Sequence, residues 1–133
     1  SDCTRTFATG TVGDEALAVY GLVARAQLES LAAVRAGAAC RSIDTVAREI
    51  IAAAGHGDHF GHGLGHGVGL EVHEGPRLAQ TAEGTLSAGN TVTIEPGVYL
   101  PGKLGVRIED LVVVTDDGCD VLSGVTKALV ELS

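Results

Sequence analysis

Residues 60–76 read Phe-Gly-His-Gly-Leu-Gly-His-Gly-Val-Gly-Leu-Glu-Val-His-Glu-Gly-Pro, and they carry three of the five histidines, His62, His66 and His73. His62 and His66 stand four apart, the spacing of two ligands on one helical face. Glycines at 61, 63, 65, 67, 69 and 75 argue against a helix, because each costs about 1 kcal/mol relative to alanine inside one. They do allow the backbone to bend, or to approach another segment with no Cβ in the way. The run is therefore predicted to be extended and irregular, feeding imidazoles into a metal or catalytic centre whose other members come from elsewhere.

On the N-terminal side the pattern is helical. In residues 14–36, Leu17, Tyr20, Val23, Leu28, Leu31 and Val34 recur at three- and four-residue steps, with Gly37 as the expected C-cap. A second helix is expected over 43–54, with Ser42 as N-cap, Gly55 past its end, and Asp44 and Arg48 as an i,i+4 pair worth only a few tenths of a kcal/mol. Residues 2–9 alternate as a short strand and 10–13 read as a turn. On the C-terminal side, 77–90 read as a loop. Residues 91–100 and 106–115 alternate as strands, the first interrupted by Pro96-Gly97 and Pro101-Gly102. A turn follows at Asp116-Asp117-Gly118. The tail from 121 fits a final strand or a short helix equally well. One strand, two helices and then several strands predict an α+β layer, with the helices on one side of a mostly antiparallel sheet.

Length and composition set outer limits. The chain has 133 residues, enough for one domain with a modest core, and 45% of them are hydrophobic. No apolar run of about 18 residues exists to span a membrane, and no basic segment precedes an apolar one as in a secretory signal. A net charge of −8 argues against a nucleic-acid partner. Cys3, Cys40 and Cys119 are odd in number and share no zinc spacing, so they read as small buried thiols in a reducing, cytoplasmic compartment. The chain contains no methionine and begins Ser-Asp-Cys-Thr-Arg-Thr, so it is expected to be a piece of a longer protein.

Asp2, His66, Glu95 and Glu109 each sit on a predicted strand or beside the glycine run, on its less apolar face. Three carboxylates and an imidazole form a hard donor set that suits Mn, Fe(II), Co or Zn. Two of the carboxylates could bridge a pair of metals. His56 and His59 read as loop residues, and Tyr99 as packing.

The blocks Gly-His-Gly-Val-Gly-Leu-Glu-Val-His-Glu-Gly-Pro (65–76), Thr-Ile-Glu-Pro-Gly-Val-Tyr (93–99) and Gly-Val-Arg-Ile-Glu-Asp (105–110), with the opening Ser-Asp-Cys-Thr-Arg-Thr, resemble those of the pita-bread metallopeptidases. Arg-Ile-Glu-Asp is similar to the Xaa-Pro branch, prolidase and aminopeptidase P; methionine aminopeptidases typically have Phe-Glu-His there. The resemblance implies a pita-bread fold and hydrolysis of peptide bonds preceding proline by a metal-bridging hydroxide. It implies Asp2 and Glu109 as bridging carboxylates, and His66 and Glu95 on one metal. Glu95 would also handle the proton of the hydroxide. His73 would donate to the substrate or intermediate, His62 would line the pocket, and Arg107 would hold the carboxylates by charge-assisted hydrogen bonds. The substrate implied is an Xaa-Pro peptide.

The resemblance also implies a partial catalytic domain over 1–133, one half of the fold plus one strand of the other. The complete site would hold two divalent ions, with Mn favoured over Co, Fe or Zn, and this chain would hold one or none. The strand carrying Asp2 would have an open edge. The chain by itself would then be weakly active or inactive, and would form a dimer or associate with the missing half. Two other functions fit the same scaffold. A non-catalytic peptide- or protein-binding module predicts replaced ligands, and a metal-free creatinase-like C–N hydrolase would work by histidine acid–base chemistry. The four filled ligand positions favour the peptidase.

Overall fold

The computed structural model of the chain describes residues 1–132. Helix α1 (Asp14–Ala33) opens on Asp14 and Glu15, whose charges suit the positive end of the helix dipole. It ends three residues before the predicted stop. Val34 turns to extended backbone, and its side chain enters the core at 1% exposure. Gly37 is consequently not the C-cap. Its positive φ of 80° serves the turn beyond, where its N–H bonds the Leu86 carbonyl at 2.8 Å.

The buried face of α1 also differs from the predicted one. Val19, Tyr20, Val23, Ala26, Gln27, Ser30 and Leu31 are buried, whereas Leu17 and Leu28 point outward at 47% and 61% exposure. Two polar residues can occupy the inner face because they have internal partners. Gln27 Nε2 donates to Asp110 Oδ2 at 2.8 Å, and Ser30 Oγ donates to the Ala26 carbonyl at 2.8 Å.

Helix α2 (Cys40–Ala53) starts earlier than expected, after Ala39, so Ser42 lies inside it and makes no cap. The neighbouring chain does part of the capping, since the Cys40 N–H bonds the Gly84 carbonyl at 3.1 Å. Gly55 adopts a φ of 86° just past the helix, as its position predicted. The two helices pack on each other, α1 also against strands β4 (Thr91–Ile94), β5 (Gly97–Leu100) and β6 (Leu104–Arg107), and α2 against β3 (Glu74–Leu78).

The remaining strands are β1 (Phe7–Thr9), β2 (Gly65–Gly67), β7 (Asp110–Val114), β8 (Cys119–Val121) and β9 (Val130–Leu132). An antiparallel sheet runs β3-β2-β4-β7-β8, beside the hairpin β5-β6 and a parallel pair β1-β9. The tail thus ends as a strand, covering one side of β1 and leaving Phe7 half exposed. Residues 74–78, assigned partly to a loop from sequence, form β3, whose Arg77 pairs with His66 in register. Each of the two long alternating runs is broken in the middle. β4 ends at Ile94 and Glu95-Pro96 separate it from β5, and the second run opens at Ile108-Glu109 between β6 and β7. There Glu109 bridges to Thr4 instead. The core lies between helices and strands, with Val23, Ile43, Ile51, Val92, Ile94 and Val112 almost wholly buried. Of the cysteines Cys40 is buried, Cys119 is half-buried and Cys3 is exposed, contrary to the expectation of three buried thiols. No helix among the described residues is long and apolar enough to cross a membrane.

Candidate metal centre

The glycine run is held from below by Asp44 and Arg48, the pair read from sequence as a weak i,i+4 contact. Asp44 is fully buried and takes both Arg48 Nε (2.8 Å) and Nη2 (2.9 Å). The Leu64 N–H also donates to Asp44 Oδ1 at 3.0 Å. Arg48 reaches on to the carbonyls of Phe60 (2.9 Å) and His62 (2.8 Å), and its guanidinium lies 4.3 Å from the Phe60 ring centroid. The pair is therefore a clamp on the loop rather than a solvated ion pair. Above it, a Cβ on Gly65 would collide with the Thr93 carbonyl, and one on Gly67 with the Gly75 carbonyl. Only glycine at 65 and 67 lets β2 sit this close to its neighbours.

This packing places His66 at the meeting of three segments. Its Nδ1 lies 3.0 Å from the Gly67 carbonyl oxygen and so donates to it, leaving the lone pair on Nε2. That Nε2 faces Glu95 Oε1 at 3.0 Å and Asp2 Oδ2 at 3.7 Å. One donor atom each of Asp2, His66 and Glu109 lie within 4.8 Å of one another. Lone pairs that converge in this way repel unless a cation or a proton lies among them, so the donor set fits a hard divalent ion. The sequence-predicted residues Asp2, His66, Glu95 and Glu109 are thus brought together in one place.

Hydroxyls that the sequence did not single out orient these donors. Thr93 Oγ1 accepts from the His66 N–H at 3.1 Å and donates to Glu95 Oε1 at 2.9 Å. The Thr4 hydroxyl donates to Glu109 Oε2 and accepts from Arg107 Nε at 3.2 Å. Arg107 therefore reaches Glu109 through Thr4. Burial pushes the Glu109 carboxyl above its ordinary range, and the charges of Glu95 and Asp2 add to this, against the Thr4 hydrogen bond and Arg107. Burial would also raise Asp110, next in the chain, but hydrogen bonds from Lys127, Arg5 and Gln27 outweigh it and hold that carboxyl low.

A cleft of about 260 Å³ opens beside the donors, lined by His62, His66, His73, Arg77, Glu95 and Arg107. The His73 ring stands edge-on to His66, 4.3 Å between centroids. His62 lies farther out. Its Nδ1 donates to the Gly63 carbonyl at 2.8 Å, and its Nε2 accepts from the Tyr99 hydroxyl at 2.7 Å. Contact with that same hydroxyl, then the charges of Glu109 and Glu95, holds Arg107 firmly protonated. Tyr99, read from sequence as packing, is therefore part of the cleft's polar wiring. His56 and His59 instead face each other, 3.1 Å between their Nδ1 atoms, on a separate turn.

An α+β layer whose strand breaks gather three carboxylates and an imidazole beside a histidine-lined cleft is a scaffold for metal-dependent chemistry. Residues 1–116 match the metallopeptidase family M24, and the chain belongs to that family. It is 44% identical over 129 residues to the Xaa-Pro dipeptidase of Pyrococcus furiosus, an overlap of 97% of this chain and 37% of the relative. Among solved structures it superposes on an Xaa-Pro dipeptidase from Bacillus anthracis with a TM-score of 0.97 at 44% identity, covering 99% of this chain and 37% of that one. An X-Pro aminopeptidase from Thermotoga maritima gives 0.96 at 41% identity, with 99% and 38% covered. These neighbours give the chain the pita-bread fold. The chain spans little more than a third of the length of the relatives it matches.

Proposed function

We propose that this chain is part of the catalytic domain of a metal-dependent peptidase that cleaves peptide bonds preceding proline. The observation that carries this reading is the convergence of Asp2, His66, Glu95 and Glu109, donors of one hard cation, at the mouth of a cleft lined by His62, His73 and Arg107. The 41–44% identity to Xaa-Pro dipeptidases and an X-Pro aminopeptidase supports the choice of substrate class. Manganese is the proposed ion, two to a complete site, with the donors for one of them in this chain. A cytoplasmic location and a dimeric or otherwise paired assembly complete the proposal.

A divalent ion on these four side chains would supply Lewis-acid polarisation of the scissile carbonyl. The chain's own residues have separable tasks around it. Glu95 Oε1, held by the Thr93 hydroxyl, is the carboxylate placed to take a proton from an attacking water. His73, exposed at the cleft mouth, is placed to donate a hydrogen bond to the carbonyl oxygen as charge develops there. His62 has Nδ1 and Nε2 both engaged, so it shapes the wall of the cleft rather than exchanging protons. Arg107 keeps positive charge beside Glu95 and Glu109.

Metal content tests the reading on this chain directly. After dialysis against Mn²⁺ and then buffer, about one ion per chain is expected by elemental analysis, falling to background in Glu95→Ala. Retention of no ion by the unmodified chain, or equal retention in the variant, would count against the site. Turnover of an Xaa-Pro dipeptide over an Xaa-Ala control by the whole protein tests the substrate class.

A further inference from the structure

Asp110 follows Glu109 directly, is fully buried and is not among the metal donors, yet it holds two cationic side chains, Arg5 and Lys127. Its Oδ1 accepts from Arg5 Nη2 at 2.7 Å, and its Oδ2 from Lys127 Nζ at 2.7 Å and Gln27 Nε2 at 2.8 Å. Arg5, its side chain only 5% exposed, ties the segments together. Nη1 donates to the carbonyls of Thr4 (2.9 Å) and Glu109 (2.6 Å), and Nε to those of Val125 (3.1 Å) and Thr126 (3.0 Å). Lys127 also donates to Gln27 Oε1 at 3.2 Å, and its own carbonyl accepts from the Tyr20 hydroxyl at 2.9 Å. The tail is thereby fixed by both backbone and side chain.

The need for such a clamp follows from the placement of Asp2. Residues 2–6 form no strand; they meet the 107–109 segment through one backbone bridge, Thr4 to Glu109, with the Glu109 N–H on the Thr4 carbonyl at 3.0 Å, and through the Thr6 hydroxyl on the Arg107 N–H (3.1 Å) and carbonyl (2.9 Å). Of the metal donors, Glu109 is one partner of that bridge and Asp2 stands two residues before the other. Apolar packing would tolerate a slip between them, whereas directional bonds to a buried carboxylate set one register.

We propose that Lys127, acting through Asp110 and Arg5, is a positioning residue for the metal centre, holding the Asp2 segment in register with Glu109. The proposal rests on the reading of Asp2, His66, Glu95 and Glu109 as metal donors. Co²⁺ is the probe, with affinity by titration calorimetry and coordination geometry by visible absorption. Lys127→Met is expected to weaken Co²⁺ binding about 10- to 100-fold and to alter the spectrum, as loss of an outer partner does at metal sites. Lys127→Arg is expected to restore both, and Lys103→Met, which breaks only the exposed Lys103–Glu15 pair, to leave both unchanged. Arg5→Lys, which keeps the charge on Asp110 but loses the reach to the Glu109 carbonyl, provides the same readout should Lys127→Met not fold. Folded variants that bind Co²⁺ as tightly as the parent, with the same spectrum, overturn the proposal, even if their metal-free unfolding midpoint falls. A parent chain that binds no Co²⁺ would instead overturn the donor reading beneath it.

Discussion

The Tyr99 hydroxyl donates to His62 Nε2 while the Gly63 carbonyl takes the proton of Nδ1, so one imidazole is locked in one tautomer by two neighbours. Tyr99→Phe removes the hydrogen bond to His62, worth about 0.5–1.5 kcal/mol, together with the hydroxyl's contact to Arg107, and leaves the ring packing intact. Its expected signature is a shift of the His62 Nε2 resonance in ¹⁵N NMR with the backbone spectrum otherwise preserved; an unmoved resonance would remove Tyr99 from the cleft's wiring. A second residue-level test concerns shape. Gly65→Ala puts a methyl group into the Thr93 carbonyl, an overpacking cost of about 1–3 kcal/mol by chemical denaturation. Because Thr93 carries Glu95, the same variant is expected to bind Mn²⁺ more weakly. At this scale the sequence was readable wherever a side chain's own chemistry announces it. The carboxylates and the imidazole beside the glycines, picked out by residue type, are the ones the structure brings together. The hydroxyls of Thr4, Thr93 and Tyr99 carry no such mark, because their roles arise only from which atoms tertiary structure places within reach.

Among the elements, α2 matters to the site through one turn. Asp44 is buried with Arg48 and the Leu64 N–H on it, and Arg48 holds the carbonyls of Phe60 and His62. Asp44→Ala leaves a half-buried guanidinium and a buried N–H without their acceptor, and is expected to cost about 3–5 kcal/mol in urea unfolding. A loss of only a few tenths would return the pair to the ordinary i,i+4 class that its spacing alone implies. The helix faces give a sharper contrast. Ile51→Ala, at a fully buried position, is expected to cost about 2–5 kcal/mol, and Leu28→Gln less than about 0.5 kcal/mol. Leucine spacing predicted the opposite for Leu28, with the buried place taken instead by the polar Gln27 beside it. Only the Asp110 carboxylate, far along the chain, makes Gln27 an inward one. Helices, turns and strand alternation were otherwise legible, because period and glycine placement act locally. Their exact ends were not: Val34 and Cys40 adopt the conformations that the core and the Gly84 segment impose.

For the molecule as a whole, the donors store an opposition that an ion would relieve. Asp2, Glu95 and Glu109 approach one another around His66, and burial with like charge already disfavours the ionised form of Glu109. A chain of net charge −8 adds to the unfavourable field. Metal-free protein therefore spends folding stability to keep the site assembled, and a bound cation returns it by linkage. With free Mn²⁺ at 100 times its dissociation constant the gain is about 2.7 kcal/mol. Glu109→Gln separates the two effects because it removes the charge but keeps an oxygen for the Thr4 hydroxyl. The metal-free variant is expected to be at least as stable as the parent, since repulsion is relieved, while the Mn²⁺-dependent gain is largely lost. Chemical denaturation of both proteins with and without Mn²⁺ gives all four values. A variant less stable without metal would mean that Glu109 serves the fold first. A variant that kept the full Mn²⁺ gain would place the ion elsewhere. The predicted pair of opposite signs is the behaviour of a site assembled for a ligand at the expense of the empty fold.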